Sequence, residues 1–267
     1  MASNNAWRVL STGEADEVVL ACDFPTAVRP EAQFSDFVAQ VDPAVTIWES
    51  GVPKPGTETG GTADDYLTWW LEPLRESGVR VSGVLGFCAG SVYASELTRR
   101  LGESQSEEVP LVLFDPERPT SEALYVHYAR GIEICGMALD RPAVDEMIAE
   151  GQELLARDSD LQVFGPAVNE LYLRVADTAL EQLGLNQQRR DELNSIFTSF
   201  VSWGVAAGHI DPTPGWARAT CLSSEDHVVH PMQVRNRIAI AAPHERILAS
   251  ADAVRTALDT IALGVPR

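Results

Sequence analysis

The sequence contains no long apolar run and comparatively few cationic side chains. No stretch approaches the roughly 20 uninterrupted apolar residues of a membrane-spanning helix, and residues 1–8 lack the charged-then-apolar pattern of a secretory signal. The 20 Lys and Arg residues are outnumbered by 39 Asp and Glu residues, for a net charge of −19 at pH 7. Nucleic-acid binding is disfavoured because phosphate contacts need a clustered cationic surface. We therefore expect a cytoplasmic protein that binds neither a membrane nor a nucleic acid.

Cysteine is also scarce, and its spacing excludes two common roles. None of the four cysteines forms a C-x-x-C pair, so the sequence indicates neither a zinc site nor a disulfide framework. Cys22 and Cys221 lie in strand-like segments and Cys135 in a helix-like one, which is typical of core residues. No metal ion or organic cofactor is predicted, and the oligomeric state does not follow from the sequence.

What the sequence does contain is enough apolar material for a large core, arranged as alternating strands and helices. Hydrophobic residues make up 45% of the 267 residues. The predicted strands cover residues 17–22, 45–48, 81–85, 109–114, 217–222 and 236–241. The predicted helices outside the central region cover residues 31–40, 63–77, 91–101 and 245–262. Alternation of this kind predicts a mostly parallel sheet with helices on both faces.

This alternation stops in the middle of the chain. Between residues 119 and 213 only helical patterns occur, and strand patterns resume after a Pro/Gly-containing segment at 211–215. We therefore predict an α/β core formed by residues 1–118 and 214–267, interrupted by a helical insertion over 119–213. Aromatic residues in the insertion fit an apolar chamber and helical core packing equally well.

The segment Gly86–Gly90 is the most informative motif. It reads Gly-Phe-Cys-Ala-Gly and stands between a buried strand pattern and a helix pattern. A G-x-nucleophile-x-G motif in this context predicts a sharp turn that holds its central residue above the sheet, at the N-terminus of a helix. The central residue is Cys88, where most such turns carry serine. The sequence thus predicts a thiol nucleophile.

A thiol nucleophile needs a base and a group that orients the base. His244 is the preferred base because it stands between the 236–241 strand and the last helix, at the sheet edge expected for Cys88. Two carboxylates follow strands at that edge and are both candidate orienting acids, Asp115 and, as the alternative, Asp226. The other histidines lie in the helical insertion or in a polar loop: His127, His209, His227 and His230.

The nucleophile also requires donors for a developing oxyanion, and backbone N–H groups are the expected source. One is the N–H of Ala89, which directly follows Cys88. The other is expected from the loop at 23–28, after the first predicted strand.

Together these motifs resemble α/β-hydrolase thioesterases that serve nonribosomal peptide and polyketide synthases. The strand-loop segment at Phe24-Pro25, the elbow at Cys88 and the histidine before the last helix match that family's order, over nearly the whole chain. The resemblance implies a helical lid at 119–213, Asp115 as the triad acid and Ala27 as the second oxyanion donor. The chain departs from the family in its cysteine nucleophile, in the residues that flank His244 and in lacking glycines after Ala27.

The resemblance implies acyl transfer from a phosphopantetheine thioester on an acyl or peptidyl carrier protein, in antibiotic and related natural-product biosynthesis. The acyl group would pass through an acyl-cysteine and be released, cyclised or shuttled to another carrier. Two alternatives remain: a dienelactone-hydrolase-like enzyme for small esters, and an inactive hydrolase-fold binding module. Arginines that are candidates for contacting an acidic carrier are Arg29, Arg99, Arg100, Arg235, Arg237 and Arg246.

Overall fold

The computed structural model describes residues 6–14, 16–24, 31–41, 45–53, 61–227 and 233–264. The strands are β1 Trp7–Ser11, β2 Glu17–Cys22, β3 Ile47–Ser50, β4 Arg80–Phe87, β5 Leu111–Phe114, β6 Thr220–Ser223 and β7 Asn236–Ala239. The α-helices are α1 Phe34–Val38, α2 Ala63–Ser77, α3 Gly90–Gln105, α4 Ser121–Cys135, α5 Arg141–Arg157, α6 Leu161–Gln182, α7 Gln187–Ala207, α8 Thr213–Trp216 and α9 Ala251–Gly264.

The strands form one sheet in the order β1-β3-β2-β4-β5-β6-β7. All neighbouring pairs are parallel except β1 and β3, which confirms the mostly parallel sheet predicted from the sequence. The antiparallel edge strand β1 was not predicted. Its side chains are exposed or half-buried, so it lacks the continuous apolar run that identifies a strand buried on both faces.

The central strands β4 and β5 position the elbow. Seven of the eight residues of β4 and all four of β5 are buried, as expected for parallel strands covered on both faces. Gly86 pairs with Leu113, and Phe87 pairs with Phe114. The two strands therefore end side by side, so that Cys88 and Asp115, the residues that follow them, come to the same edge of the sheet.

The last predicted helix, 245–262, is divided in the structure. A 3₁₀ helix spans His244–Ala249, and Ser250 has extended backbone angles before α9 begins. The Ser250 hydroxyl accepts a hydrogen bond from the Ala253 N–H at 3.4 Å. The predicted helix is divided here because serine favours the start of a helix over its interior. Ile247 and Leu248 are fully buried in the core beside the sheet, which anchors the segment that begins with His244.

The chain divides into two compact units. One contains residues 1–52, 64–118 and 210–267, and the other contains residues 53–63 and 119–209. The first unit holds the whole sheet. No helix in the described part of the chain is both long enough and apolar enough to cross a membrane.

The second unit contains α4, α5, α6 and α7, and it has a core of its own. Tyr128 and Phe164 are fully buried in that core, and the rings of Tyr172 and Phe197 stack with their centroids 3.9 Å apart. Helical core packing thus accounts for these aromatic residues of the insertion.

Candidate active site

The turn between β4 and α3 has the backbone geometry of a nucleophile elbow. Cys88 has φ +47°, a left-handed conformation that non-glycine residues rarely adopt and that is concentrated at functional sites. Its N–H donates to the Phe114 carbonyl at 3.0 Å, and its carbonyl accepts from the Ser91 N–H at 3.1 Å. These bonds hold the strained turn in place. The Cys88 side chain is half-buried at the N-terminal end of α3.

The glycines on either side of Cys88 are required by close packing. A Cβ on Gly86 would lie 2.7 Å from the Cα of Ser91, and a Cβ on Gly90 would collide with the carbonyl oxygen of Cys22. Both obstacles involve backbone atoms, which cannot move aside as a flexible side chain can. Position 86 therefore requires glycine because β4 packs closely against α3, and position 90 requires glycine because α3 packs closely against β2.

Asp115 follows β5 and is fully buried. Its φ of +42° is a second left-handed conformation at the same edge of the sheet. Its Oδ2 accepts from His244 Nδ1 at 2.8 Å, and its Oδ1 accepts from the Ser224 N–H at 2.8 Å. Burial by itself would raise the pKa of Asp115, but these hydrogen bonds and the nearby His227 outweigh it and lower that pKa.

His244 begins the 3₁₀ helix, and its ring lies nearly parallel to Phe87 with the centroids 5.1 Å apart. Burial opposes the charged imidazolium, but the hydrogen bond and charge of Asp115, aided by Glu117 and Glu31, outweigh burial and raise the pKa of His244. Since Nδ1 donates to Asp115, Nε2 is the ring nitrogen left to accept a proton. The structure thus brings together the predicted base and one of the two predicted acids.

Asp226, the alternative acid, also contacts His244, but through the backbone. Its Oδ1 accepts from the His244 N–H at 2.7 Å and from the Ser224 hydroxyl at 3.0 Å. Because the hydrogen bond from the His244 backbone favours the anion, the pKa of Asp226 is lowered. The two carboxylates therefore have different geometric relations to the base: Asp115 orients the ring, and Asp226 holds the main chain that carries it.

The structure adds two residues that the sequence did not single out as site residues. Glu117 Oε2 lies 3.9 Å from Cys88 Sγ, and Glu117 Oε1 lies 3.6 Å from His227 Nδ1. The His227 side chain is only 2% exposed, and its Nδ1 is 3.8 Å from Asp115 Oδ1. Its position after a strand and beside Asp226 was a usable signal, but the polar sequence around it indicated a loop at the surface.

The predicted oxyanion donors are described only in part. Ala89 directly precedes α3 as its N-cap residue, so its backbone N–H belongs to the same turn as the Cys88 thiol. Ala27 lies outside the described residues, as do Arg29 and His230. Their predicted roles stay predictions.

Three side chains at the site have donor atoms close enough to share a metal ion. One donor atom from each of Asp115, His227 and His244 lies within 4.8 Å of the others. Nitrogen and carboxylate donors of this kind are those that zinc accepts. Two of these donor atoms, Asp115 Oδ2 and His244 Nδ1, are joined by a 2.8 Å hydrogen bond.

The coupling of His244 to Asp115 leads to a prediction about pH. We expect the pKa of His244 to lie above 6.5, its ordinary value, because the Asp115 anion stabilises the imidazolium. His244 then stabilises the fold at pH values below 6.5, and this contribution is lost as the pH rises through the raised pKa. In Asp115→Asn the burial remains while the charge is lost, so the pKa of His244 should fall. Titration of the ring nitrogens by ¹H–¹⁵N NMR measures the pKa of His244 in the wild type and in the variant. An unchanged pKa in the variant would contradict the coupling.

Comparison with known proteins gives structural matches alone, since no protein-family model and no curated protein matches the sequence. A holo four-domain nonribosomal peptide synthetase, AB3403, bound to AMP and glycine, matches with a TM-score of 0.62 and 15% identity, over 98% of this chain and 20% of that one. This chain therefore spans about a fifth of that synthetase.

Two further structures match over nearly the full length of both chains. The NocB thioesterase domain, in a covalent complex with a fluorophosphonate nocardicin G analogue, has a TM-score of 0.51 and 17% identity, and the match covers 94% of this chain and 99% of that one. The enol-lactonase from Burkholderia xenovorans LB400 has a TM-score of 0.53 and 13% identity, with 96% and 95% covered. With the sheet order and the helices on both faces, these matches confirm the predicted α/β-hydrolase fold.

Proposed function

We propose that this protein is a thioesterase-like acyltransferase that takes an acyl or peptidyl group from a carrier-protein thioester onto Cys88. The observation that carries the proposal is the convergence of three groups at one edge of the sheet. A cysteine with φ +47° stands at the start of a helix, and a buried carboxylate hydrogen-bonds the ring of a histidine whose pKa is raised. Nucleophile, base and orienting acid are the parts that covalent acyl transfer requires.

Each residue then has a defined role in the proposed reaction. His244 Nε2 takes the thiol proton of Cys88, and Asp115 keeps the ring in the correct tautomer and stabilises the imidazolium. The sulfur of Cys88 attacks the thioester carbonyl carbon, and the oxyanion is held by the N–H of Ala89 and, as predicted from the sequence, of Ala27. The carbon–sulfur bond to the pantetheine thiol breaks, and His244 returns the proton to that leaving thiol.

Cysteine suits onward transfer of the acyl group. A serine nucleophile would convert a thioester into an ester, which is downhill and leaves the acyl group less reactive. Cys88 exchanges one thioester for another at nearly equal free energy, so the acyl group stays activated. Water, an amine or hydroxyl of the acyl chain, or a second carrier thiol can then accept it, giving hydrolysis, cyclisation or shuttling.

The carrier-bound substrate is supported by the kinds of protein that share the fold. The similar structures include a nonribosomal peptide synthetase and a thioesterase domain, and a carrier-bound thioester is a substrate that the thiol of Cys88 can exchange. We therefore propose a phosphopantetheine substrate, an acyl or peptidyl carrier partner and a role in antibiotic or related biosynthesis in the cytoplasm.

Three of the six arginines considered for carrier docking are engaged with acidic neighbours. Arg99 and Arg100 both bind Glu96, and Arg235 binds Glu108 at 2.6 Å. A carrier-binding surface would have to exchange these pairs for contacts with the carrier, so they give the proposal little support.

Mass spectrometry after mixing with acyl-pantetheine carrier thioesters tests the proposal. We expect a mass gain equal to the acyl group, located on the peptide that contains Cys88. The chain provides internal controls, because Cys22, Cys135 and Cys221 are buried and burial raises the pKa of each thiol. No gain from carrier thioesters together with turnover of small esters would favour the small-ester hydrolase, and neither activity would favour the binding module.

A further inference from the structure

Glu117 lies beside Cys88 and is not itself a member of the proposed triad. Its Oε2 is 3.9 Å from Cys88 Sγ, and its backbone N–H donates to the Cys88 carbonyl at 3.3 Å. The Asp115 carboxylate already binds the ring of His244. Orientation of the base therefore gives no reason for a second carboxylate at the sulfur.

This placement has a chemical cost. A negative charge a few ångströms from a thiol opposes formation of the thiolate, because like charges disfavour the ionised form. Among the described residues no arginine or lysine neutralises Glu117: the neighbouring Arg118 extends instead to Asp211, at 2.9 Å. The Glu117 charge is thus left facing the position that an acyl group on Cys88 would occupy.

One oxygen of the Glu117 carboxylate faces a buried imidazole, and the Glu117 side chain is also partly exposed to solvent. The imidazole of His227, 2% exposed, lies 3.6 Å from Oε1, whereas the Glu117 side chain is 41% exposed. His227 Nε2 has no hydrogen-bond partner among the described residues, so the ring contributes to the site through its Nδ1 edge. Glu117 thus contacts a buried imidazole, is partly exposed to solvent and lies beside the reacting sulfur. A carboxylate in this position can bind a cationic group of a substrate.

We propose that Glu117 binds the α-ammonium group of an aminoacyl substrate and so selects α-aminoacyl thioesters over uncharged acyl thioesters. This inference rests on the proposed acyl transfer to Cys88 and names its substrate class. In an aminoacyl-cysteine the amino nitrogen is two bonds from the carbonyl carbon, which places it roughly 3 to 4 Å from the sulfur. An oxygen 3.9 Å from that sulfur can then accept a hydrogen bond of ordinary length from the ammonium group.

Charge around the site favours the same substrate. Glu117 and Glu31 both raise the pKa of His244 by their charge, and Asp226 carries a further carboxylate next to the His244 backbone. A substrate ammonium group would offset the repulsion that Glu117 exerts on the thiolate, so the cost of this carboxylate is removed when the matching substrate binds. An uncharged acyl group gives no such compensation.

The test compares two thioesters of nearly equal shape, L-alanyl-pantetheine and isobutyryl-pantetheine. The alanyl thioester carries an ammonium group where the isobutyryl thioester carries a methyl group. The rate of Cys88 acylation is measured by intact mass and divided by the rate of each thioester with a small free thiol, which corrects for intrinsic reactivity. We expect the wild-type protein to prefer the alanyl thioester by about 10- to 100-fold, the range of a hydrogen bond between charged groups.

Glu117→Gln should lower the ratio of the corrected alanyl rate to the corrected isobutyryl rate by about 10- to 100-fold, because the bond to the ammonium group is lost for the alanyl thioester alone. Glu117→Asp keeps the charge and should retain part of the preference. Glu122→Gln, an exposed position five residues further along the chain, is the matched control and should behave as wild type.

The outcomes separate this inference from the proposed function. Equal corrected rates for both thioesters in the wild type, or equal losses for both in Glu117→Gln, would overturn the role of Glu117 while leaving acyl transfer to Cys88 intact. Failure of both thioesters to acylate the wild-type protein would overturn the proposed function and the inference with it.

Discussion

Replacing Cys88 by alanine is expected to abolish acyl-enzyme formation and to lower turnover of carrier thioesters by about 10⁴-fold or more, the loss typical of removing a covalent nucleophile. The reason is that the thiol is the atom to which the acyl group transfers, and no other side chain in the described part of the elbow can replace it. Intact mass and product release measured on the same samples report the two losses together. An acyl group still found on the alanine variant would contradict the assignment.

Cys88→Ser is the informative control because it retains a nucleophile of similar size. We expect the serine variant to form an ester more slowly and then to hold it, since transfer from an ester to a carrier thiol runs uphill in free energy. Hydrolysis would persist while transfer to thiols is lost. Serine transferring to a second carrier thiol as fast as cysteine does would remove the argument that cysteine keeps the acyl group activated.

Asp115→Asn is expected to have the second largest effect, a fall of about 10³- to 10⁴-fold in the acylation rate, as when an asparagine in a triad favours the wrong histidine tautomer. Asp115 accepts from His244 Nδ1 at 2.8 Å and is fully buried. An amide can donate to Nδ1 and so direct the ring proton to Nε2, where the base must be free. Rapid-mixing mass spectrometry of the acyl-enzyme measures the rate.

Asp226→Asn is the matched comparison, since the sequence left both carboxylates open as the acid. Its Oδ1 accepts from the His244 backbone N–H at 2.7 Å, a bond that an asparagine carbonyl can also accept. We therefore expect less than about a 10-fold loss, because one neutral hydrogen bond replaces a charge-assisted one. A larger loss in Asp226→Asn than in Asp115→Asn would reverse the assignment of the acid.

Much of the fold follows from local patterns along the chain. The strands, the helices between them and the parallel sheet were predicted, because the central strands β2, β4 and β5 are short, mostly apolar and buried. The antiparallel strand β1 was missed since its half-exposed residues lack such a run. The final helix was predicted as one element, because a single serine at 250 is a weak local signal until its capping contact is known.

The site divides in the same way, and the physical reason is the range of the interactions. The elbow at Cys88 depends on glycine spacing and on flanking strand and helix patterns, which are local, so the sequence alone was enough to predict it. The sequence left Asp115 and Asp226 open as the acid, because the contact with the His244 ring joins residues 129 positions apart, Asp115 and His244. Glu117 and His227 became visible as site residues only when parallel strands brought their ends to one edge, since burial and interatomic distance are properties of the folded chain.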